Sequence, residues 1–354
     1  MGQQLTLPHR PAHGMCPVNG IRDLVQWRSG RDWSNEFLHG LGLGGGFAYL
    51  RVNPADPPRQ VYWGNSTPRQ HRYLAELLGV TFIEIENRSF KFSWGRAREA
   101  VEAGTPPVLG PLDMFHLHFY EEIYHRRHIP IHYLLLVGYG DDAAYVRDTG
   151  QDDVQEIPLV DLQLAWDVNV PGLGKRNRQA ILDIPTALPS TAALICRSLA
   201  DECRAMLQPP VSMLGLPAMK KVAREIAHWE EELGQETAAK CLRQVREYLS
   251  SPPDPEGGHL TAGRDLYITF LHEAGAMANL DFSAAIDRLR RSQAAIPALA
   301  EAIRRNDLEE AADCFRRIAE AEEEGYLALG SIVGAGGPPK AGIKSGGESG
   351  QARL

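Results

Sequence analysis

The spacing of apolar residues changes once along this chain, near Pro185. Before it, apolar residues come in short runs such as Phe47 to Val52, Val80 to Ile85 and Tyr133 to Val137, separated by glycine, proline and polar clusters. Runs of that length predict strands, and the stretches Thr67 to Leu78 and Trp94 to Ala103 predict short helices between them. Past Thr186 the apolar positions recur every three or four residues, as in Ala192-Ile195-Leu199-Cys203-Met206 and Ile303-Leu308-Ala312-Phe315-Ile318. That period predicts five or six helices, with breaks at Pro209-Pro210, at 251–258, at Leu280-Asp281 and at Pro297. The chain is therefore expected to divide into an α+β domain over 1–185, an all-α domain over 186–333, and a disordered tail over 334–354 rich in Gly, Pro, Ser and Lys.

Within the first domain, the predicted strands Tyr133 to Val137 and Ala143 to Arg147 flank the turn Gly138-Tyr-Gly-Asp-Asp142, the pattern of a β-hairpin. His132 opens the first strand and Asp148 closes the second. Paired strands lie about 5 Å apart, so the hairpin brings imidazole and carboxylate close together. Far upstream, Cys16 opens a predicted helix whose apolar positions are Val18, Ile21, Leu24, Val25 and Trp27, ended by Ser29-Gly30. Unpaired amides and the helix dipole favour a thiolate at such a position. A cysteine on a helix, followed by a histidine and an aspartate on a hairpin, is the chain order of a papain-like nucleophile site. Without Cys16, the same hairpin would be read as an ordinary buried one.

Other segments are more ambiguous. Ser34 caps a second predicted helix through His39, and Glu36 in its first turn is either a carboxylate favoured by the dipole or a contact for a substrate amine. The glycine-rich stretch 40–46 follows a helix and precedes a strand, the reverse of a dinucleotide fingerprint. It is read as close backbone approach beside the cysteine helix. Asp113 to Tyr120 alternates aromatic residues and histidines and is read as a strand lining a substrate cleft. Its His116 and His118 lack the further ligands that a metal site needs, so no metal is expected.

Composition narrows the function. Over 354 residues, 44% hydrophobic and 23% charged, the chain has the profile of a globular protein. A formal charge of −8 argues against nucleic-acid binding. There is no apolar span of about 18 residues and no signal-peptide core in 1–13, so a cytoplasmic protein without membrane contact is expected. The five cysteines, at 16, 196, 203, 241 and 314, form no Cys-x-x-Cys pair and predict neither a disulfide framework nor a zinc site. The last four fall in helical stretches, where inert buried thiols are expected. Glu230 to Glu232 and Glu320 to Glu324 are read as solvated helix faces.

Several separated motifs, in order, resemble the butirosin biosynthesis protein H type of N-terminal domain. They are Met15-Cys16-Pro-Val-Asn19, Ser34-Asn-Glu36-Phe-Leu-His-Gly-Leu-Gly-Leu-Gly-Gly-Gly-Phe-Ala-Tyr, Gly110-Pro-Leu-Asp113, His132-Tyr-Leu-Leu-Leu-Val-Gly-Tyr and Val146-Arg-Asp148. The helical half is similar to the companion domain of unknown function, through Ala223-Arg-Glu-Ile-Ala-His-Trp229 and Gly263-Arg264-Asp-Leu-Tyr-Ile-Thr-Phe-Leu271. The resemblance implies a papain-like fold with an antiparallel sheet, put to biosynthetic use. In such proteins a cysteine takes an acyl group from the phosphopantetheine thioester of an acyl or peptidyl carrier protein. It then passes that group to a small-molecule amine, as in aminoglycoside acylation and in a related amide-forming acyltransferase of the closthioamide pathway.

The resemblance carries Cys16, His132 and Asp148 over as a triad and implies no cofactor of the chain's own. Glu36 and Asp113, members of the matching motifs, are the expected carboxylates for the amine. The glutamine that papain-type enzymes place before the cysteine is absent, with Arg10 and Pro11 in that region, so the second oxyanion donor falls to Asn19 or His13. Arg69 with Arg72, Arg126 with Arg127, and Lys175 to Arg178 are candidate patches for an acidic carrier. The helical half is where a homodimer would form. A peptidase or thioester hydrolase, and a non-catalytic scaffold, are the competing readings.

Overall fold

The computed structural model describes residues 2–12, 14–250 and 259–334. His13 and the tail at 335–354 lie outside them. The first part of the chain runs β1 (Gln3–Gln4), α1 (Cys16–Ser29), α2 (Asn35–Leu41), β2 (Phe47–Arg51), β3 (Arg59–Trp63), α3 (Thr67–Leu78), β4 (Thr81–Ile85), α4 (Phe90–Glu102) and β5 (Val108–Leu112). It continues through β6 (His132–Tyr139), β7 (Ala143–Arg147), β8 (Gln155–Pro158), α5 (Leu159–Trp166) and β9 (Gln179–Asp183). The second part is helical: α6 (Thr191–Leu207), α7 (Gly215–Glu225), the short α8 (Trp229–Leu233), α9 (Gln235–Leu249), α10 (Arg264–Ala278), α11 (Ser283–Arg304) and α12 (Leu308–Val333). The fold is α+β, an antiparallel sheet followed by helices.

Strand order in the main sheet is β4-β9-β5-β6-β7-β8, with β1 also on β6, and all of these pairs are antiparallel. Central β6 is buried at all eight residues. That is why its sequence reads as an unbroken apolar run rather than an alternation. Its alternate residues serve two cores: Tyr133, Leu135 and Val137 pack with α1 and α3, while Leu134 and Leu136 pack with Trp94 of α4 and Trp166 of α5. At roughly 25 cal/mol per Å² of apolar area, burial on both faces is the main force locating this strand.

The helical part does not form a core of its own. One apolar cluster runs from Val18 and Phe37 through Val61 and Leu135 to Phe270 and Phe315. The small β2–β3 hairpin is held from the helical side, since the Gln244 side chain accepts from the Val61 amide at 2.8 Å and donates to its carbonyl at 2.9 Å.

Three expectations need correction. The glycine run at 40–46 does approach other chain closely, but its closest partners include helices of the second part, and the cysteine helix is not among them. A Cβ at Gly40 would collide with the Phe270 ring, and one at Gly45 with the Tyr326 hydroxyl. Helix α11 continues through Pro297. A proline inside a helix removes one backbone bond, and burial of Ile296, Leu299, Ala300 and Ile303 around it outweighs that cost. Within Glu320 to Glu324, Glu322 is fully buried, because its carboxylate turns inward to Arg264 at 2.6 Å.

Candidate active site

Helix α1 starts abruptly. Gly14 and Met15 both take left-handed backbone, at φ 73° and 61°, so the chain turns sharply into Cys16. Such a conformation at Met15 costs energy for a residue with a side chain. Pro17, preset for the first helical turn, has no N–H to offer, and the Val18 amide returns to the Met15 carbonyl at 3.0 Å. Among the described residues no acceptor takes the Cys16 amide. It is therefore the donor left at the helix start for an anion beside the sulfur.

The helix crosses the sheet at Gly20, where a Cβ would lie 3.0 Å from that of Leu135. Cys16 precedes that crossing by four residues, about 6 Å along the helix, and His132 precedes it by three residues on β6. Both therefore come to the same end of the crossing. The Cys16 sulfur lies 4.0 Å from the Ile131 carbonyl and within hydrogen-bonding reach of the His132 ring.

Pairing of Leu135 with Arg147 and of Leu136 with Val146 fixes the hairpin register and carries Asp148 toward the start of β6. There the Asp148 Oδ2 forms a short hydrogen bond with His132 Nε2. Asp148 is wholly buried and His132 nearly so. The remaining oxygen of Asp148 accepts from the Tyr120 hydroxyl and from the Gly150 amide, each at 2.7 Å. The Tyr120 oxygen also stands 3.2 Å from His132 Nε2.

Burial alone would pull the His132 pKa down. Interaction with Cys16 and the hydrogen-bonded Asp148 carboxylate outweigh it and hold His132 up to about 10. For Asp148, burial pushes upward, but bonds from His132, Tyr120 and Gly150 hold it below the usual carboxylate range. Burial and Asp148 push the Tyr120 phenol far up, so it serves as a donor. The site is thus arranged as a cysteine sulfur beside an imidazole that a carboxylate holds.

The structure brings Cys16, His132 and Asp148 together, and among the described residues none of Glu36, Asp113 and Asn19 bonds to their side chains. Asp113 Oδ1 accepts the Phe115 and Ile129 amides at 3.1 and 2.9 Å, and its Oδ2 meets His128 Nδ1 at 2.6 Å. These bonds pin both ends of the 113–131 loop and engage both oxygens of the carboxylate expected to meet an amine. The same bonds fold Met114–His116 into a 3-10 turn, not a strand. Glu36, half-buried on α2, stands near Glu273 of α10, and among the described residues it makes no bond to a triad group. Asn19 is buried, with its oxygen taken by Asn35 Nδ2 at 3.1 Å. His13, the other oxyanion candidate, lies outside the described residues.

Two supporting residues were not foreseen. Tyr120 sits in an irregular loop, where its aromatic character reads only as cleft wall. His71 of α3 is fully buried and donates to the Pro17 carbonyl at 2.6 Å, tying α3 to the start of the cysteine helix. Burial, then Arg178, lower its pKa to about 3, so it stays neutral. Arg178 is itself buried and bonded to Glu84 at 2.9 Å, which removes it from the surface patch expected at Lys175 to Arg178. Arg72 is also paired with Glu84, at 2.5 Å.

Cys203, Cys241 and Cys314 are buried, and burial pushes their thiols up, Cys203 to about 12. No group of three or more His, Cys, Asp or Glu suited to a metal occurs among the described residues, and no helix there is long and apolar enough to cross a membrane.

Residues 15–149 match the family described as butirosin biosynthesis protein H, N-terminal. Residues 161–329 match a domain of unknown function. The crystal structure of a C39-like peptidase from Bacillus anthracis is similar to this chain at 16% identity, covering 50% of this chain and 94% of that one with a TM-score of 0.31. No curated protein matches the sequence. Residues 15–149 thus carry the butirosin biosynthesis protein H N-terminal domain, and the cysteine, histidine and aspartate of the site all fall within it.

Proposed function

We propose that this chain is a cysteine acyltransferase that takes an acyl group from a carrier-bound phosphopantetheine thioester and delivers it to an amine. One observation carries the reading: the Cys16 sulfur meets an imidazole that Asp148 holds through Nε2. Support for transfer over hydrolysis comes from the family's name, which is that of a biosynthetic protein rather than a peptidase.

In the first step the Cys16 thiolate attacks the thioester carbonyl, and the oxyanion is met by the Cys16 amide. The tetrahedral adduct collapses by breaking the bond to the pantetheine sulfur, which leaves with the proton of His132. The products are an acyl-Cys16 thioester, a free pantetheine thiol and a neutral imidazole. Loss of the negative sulfur removes a main reason for the high pKa of His132, so the ring becomes a base when one is needed. A neutral amine then attacks the acyl group, His132 takes its proton, and expulsion of the Cys16 thiolate restores the ion pair and releases the amide.

Arg126 and Arg127, exposed on the loop that carries Tyr120, have no ion pair among the described residues. They are the basic side chains we assign to an acidic carrier.

The test is intact-protein mass spectrometry after exposure to an acyl-pantetheine thioester. The expected result is one acyl adduct, absent in Cys16→Ala and discharged as amide when a primary amine is added. Discharge at the same rate with and without amine would make the protein a hydrolase, and no adduct under any condition would leave a scaffold.

A further inference from the structure

Between the β2–β3 hairpin, the start of α3 and helices α6 and α7 lies a cavity of about 300 Å³, at the lower end of the roughly 300–1,000 Å³ of small-molecule sites. Cys16, His132 and Asp148 do not line it. Its wall is mainly apolar, built from residues such as Phe47, Trp63, Met206, Leu214 and Tyr248. One side chain breaks the pattern. Glu202 of α6 lines the cavity, is 1% exposed, and has no hydrogen bond of ordinary geometry at either carboxyl oxygen, the Gly45 amide being the one backbone donor near it.

We infer that this cavity is a second binding site, for a small molecule with an apolar body and a primary ammonium group that donates to Glu202. The inference is independent of acyl transfer at Cys16. A buried acceptor left unmet costs on the order of 1–3 kcal/mol, and more when charged. An ammonium brings three donors and no acceptor, the complement of two empty carboxyl oxygens. Charge closes in the same way. Arg264 and Glu322 neutralise each other behind Glu202 at 2.6 Å, so an ionised Glu202 is balanced by a single cation. Arg264 has two guanidinium nitrogens without partners, but it does not line the cavity and so offers no cradle to a carboxylate or phosphate there. Arg69, the cation on the wall, is exposed to solvent, where its charge is screened.

Burial pushes Glu202 up to about 8 against the pull of Arg264 and the Gly45 amide, so at neutral pH the empty site is protonated. Binding then exchanges one proton for one ammonium: the neutral carboxyl loses its hydrogen to solvent and the carboxylate pairs with the ligand. The groups facing Glu202 are Arg264 and Tyr267 from α10, Glu322 and Tyr326 from α12, Cys203 on α6 and Arg69 on α3. Burial holds both tyrosines and Cys203 protonated far above neutrality.

Titration calorimetry of the full chain with n-hexylammonium, n-hexanol and hexanoate, at pH 6.5 in two buffers of different ionisation enthalpy, tests this. Hexylammonium is expected to bind with release of close to one proton and to bind at least tenfold tighter than the other two probes. Glu202→Gln, which keeps the shape, is expected to lose at least tenfold in amine affinity. Ala205→Phe, which fills the cavity, should abolish binding of every probe, and Cys16→Ala should change nothing. Equal binding of the three probes, amine affinity within twofold in Glu202→Gln, or persistence in Ala205→Phe would overturn the inference. So would the absence of all binding, which would leave a water-filled cavity only. Because Cys16→Ala removes acylation and spares this titration, failure here and failure of the acyltransfer reading are separate results.

Discussion

Two of the buried ionic clusters among the described residues differ in how completely they are satisfied. Around Asp148, both carboxyl oxygens are met, by His132 on one side and by Tyr120 and Gly150 on the other. Around Arg264, the ion pair to Glu322 is fully buried, with Ser292 donating to the same oxygen at 2.6 Å. Yet two nitrogens of Arg264, one oxygen of Glu322, the Tyr267 hydroxyl and both oxygens of Glu202 have no hydrogen bond of ordinary geometry. A satisfied network in low dielectric is rigid and fixes one geometry. That suits a histidine that must present one nitrogen to a sulfur. Unmet groups in the second cluster mark a place where water or a ligand belongs. Burial alone therefore does not distinguish a working site from a structural one; the pattern of unfilled bonds does.

Four perturbations sharpen this contrast. The largest effect is expected at the first cluster. Asp148→Asn keeps the size of the side chain but removes the charge that orients and holds the imidazolium, and loss of such a group from a triad costs about 10³–10⁴ in rate. Single-turnover acylation should fall by that factor while the folded spectrum is unchanged.

Next is Glu322→Gln, which strands the Arg264 charge in the interior. Breaking one side of a buried pair costs about 3–5 kcal/mol, to be read as a drop in urea midpoint with an unaltered slope.

Glu202→Gln should act in the opposite direction and with a pH signature. Its folded pKa, about 8, lies above the ordinary value of 4.5, so the folded state holds the proton more tightly. The stability this gives is complete below about pH 4.5 and lost as pH rises through about 8. The difference in stability between Glu202→Gln and the unaltered protein should therefore grow in favour of the variant from pH 5 to pH 8. A constant difference across that window would refute the assignment.

Smallest is Tyr120→Phe, which deletes one of three bonds to Asp148. A bond to a charged acceptor is worth about 1.5–3 kcal/mol, so acylation should slow by roughly 10- to 100-fold. With one donor gone, the Asp148 pKa moves up toward its ordinary value, and the acid limb of the rate profile should shift to higher pH. A slower rate with no shift of that limb would mean that Tyr120 only packs.

The same contrast explains what the sequence reveals. The helix at Cys16 and the hairpin from His132 to Asp148 are legible because local rules specify them: a proline at the helix start, a glycine turn, and apolar runs of strand length. Their meeting point is implied by chain order alone. Tyr120 is not legible, because the loop that delivers it is shaped by Asp113 bonding to amides 2 and 16 residues away, which no periodicity records. Glu322 is hidden for a different reason. It stands among glutamates, and only the position of Arg264 on another helix turns it inward. Glu202 likewise looks like one polar residue of an amphipathic helix until the neighbouring helices enclose it.

Strand β9 carries a consequence for anyone dividing the protein by its ancestry. It belongs to the second matched segment, yet it is the plank between β4 and β5 in the sheet of the first. A fragment ended at residue 160 would bare the ladder edges of β4 and β5 that β9 covers, edges of the kind that recruit foreign strands. Inheritance has drawn its boundary through the middle of what folding treats as a single object.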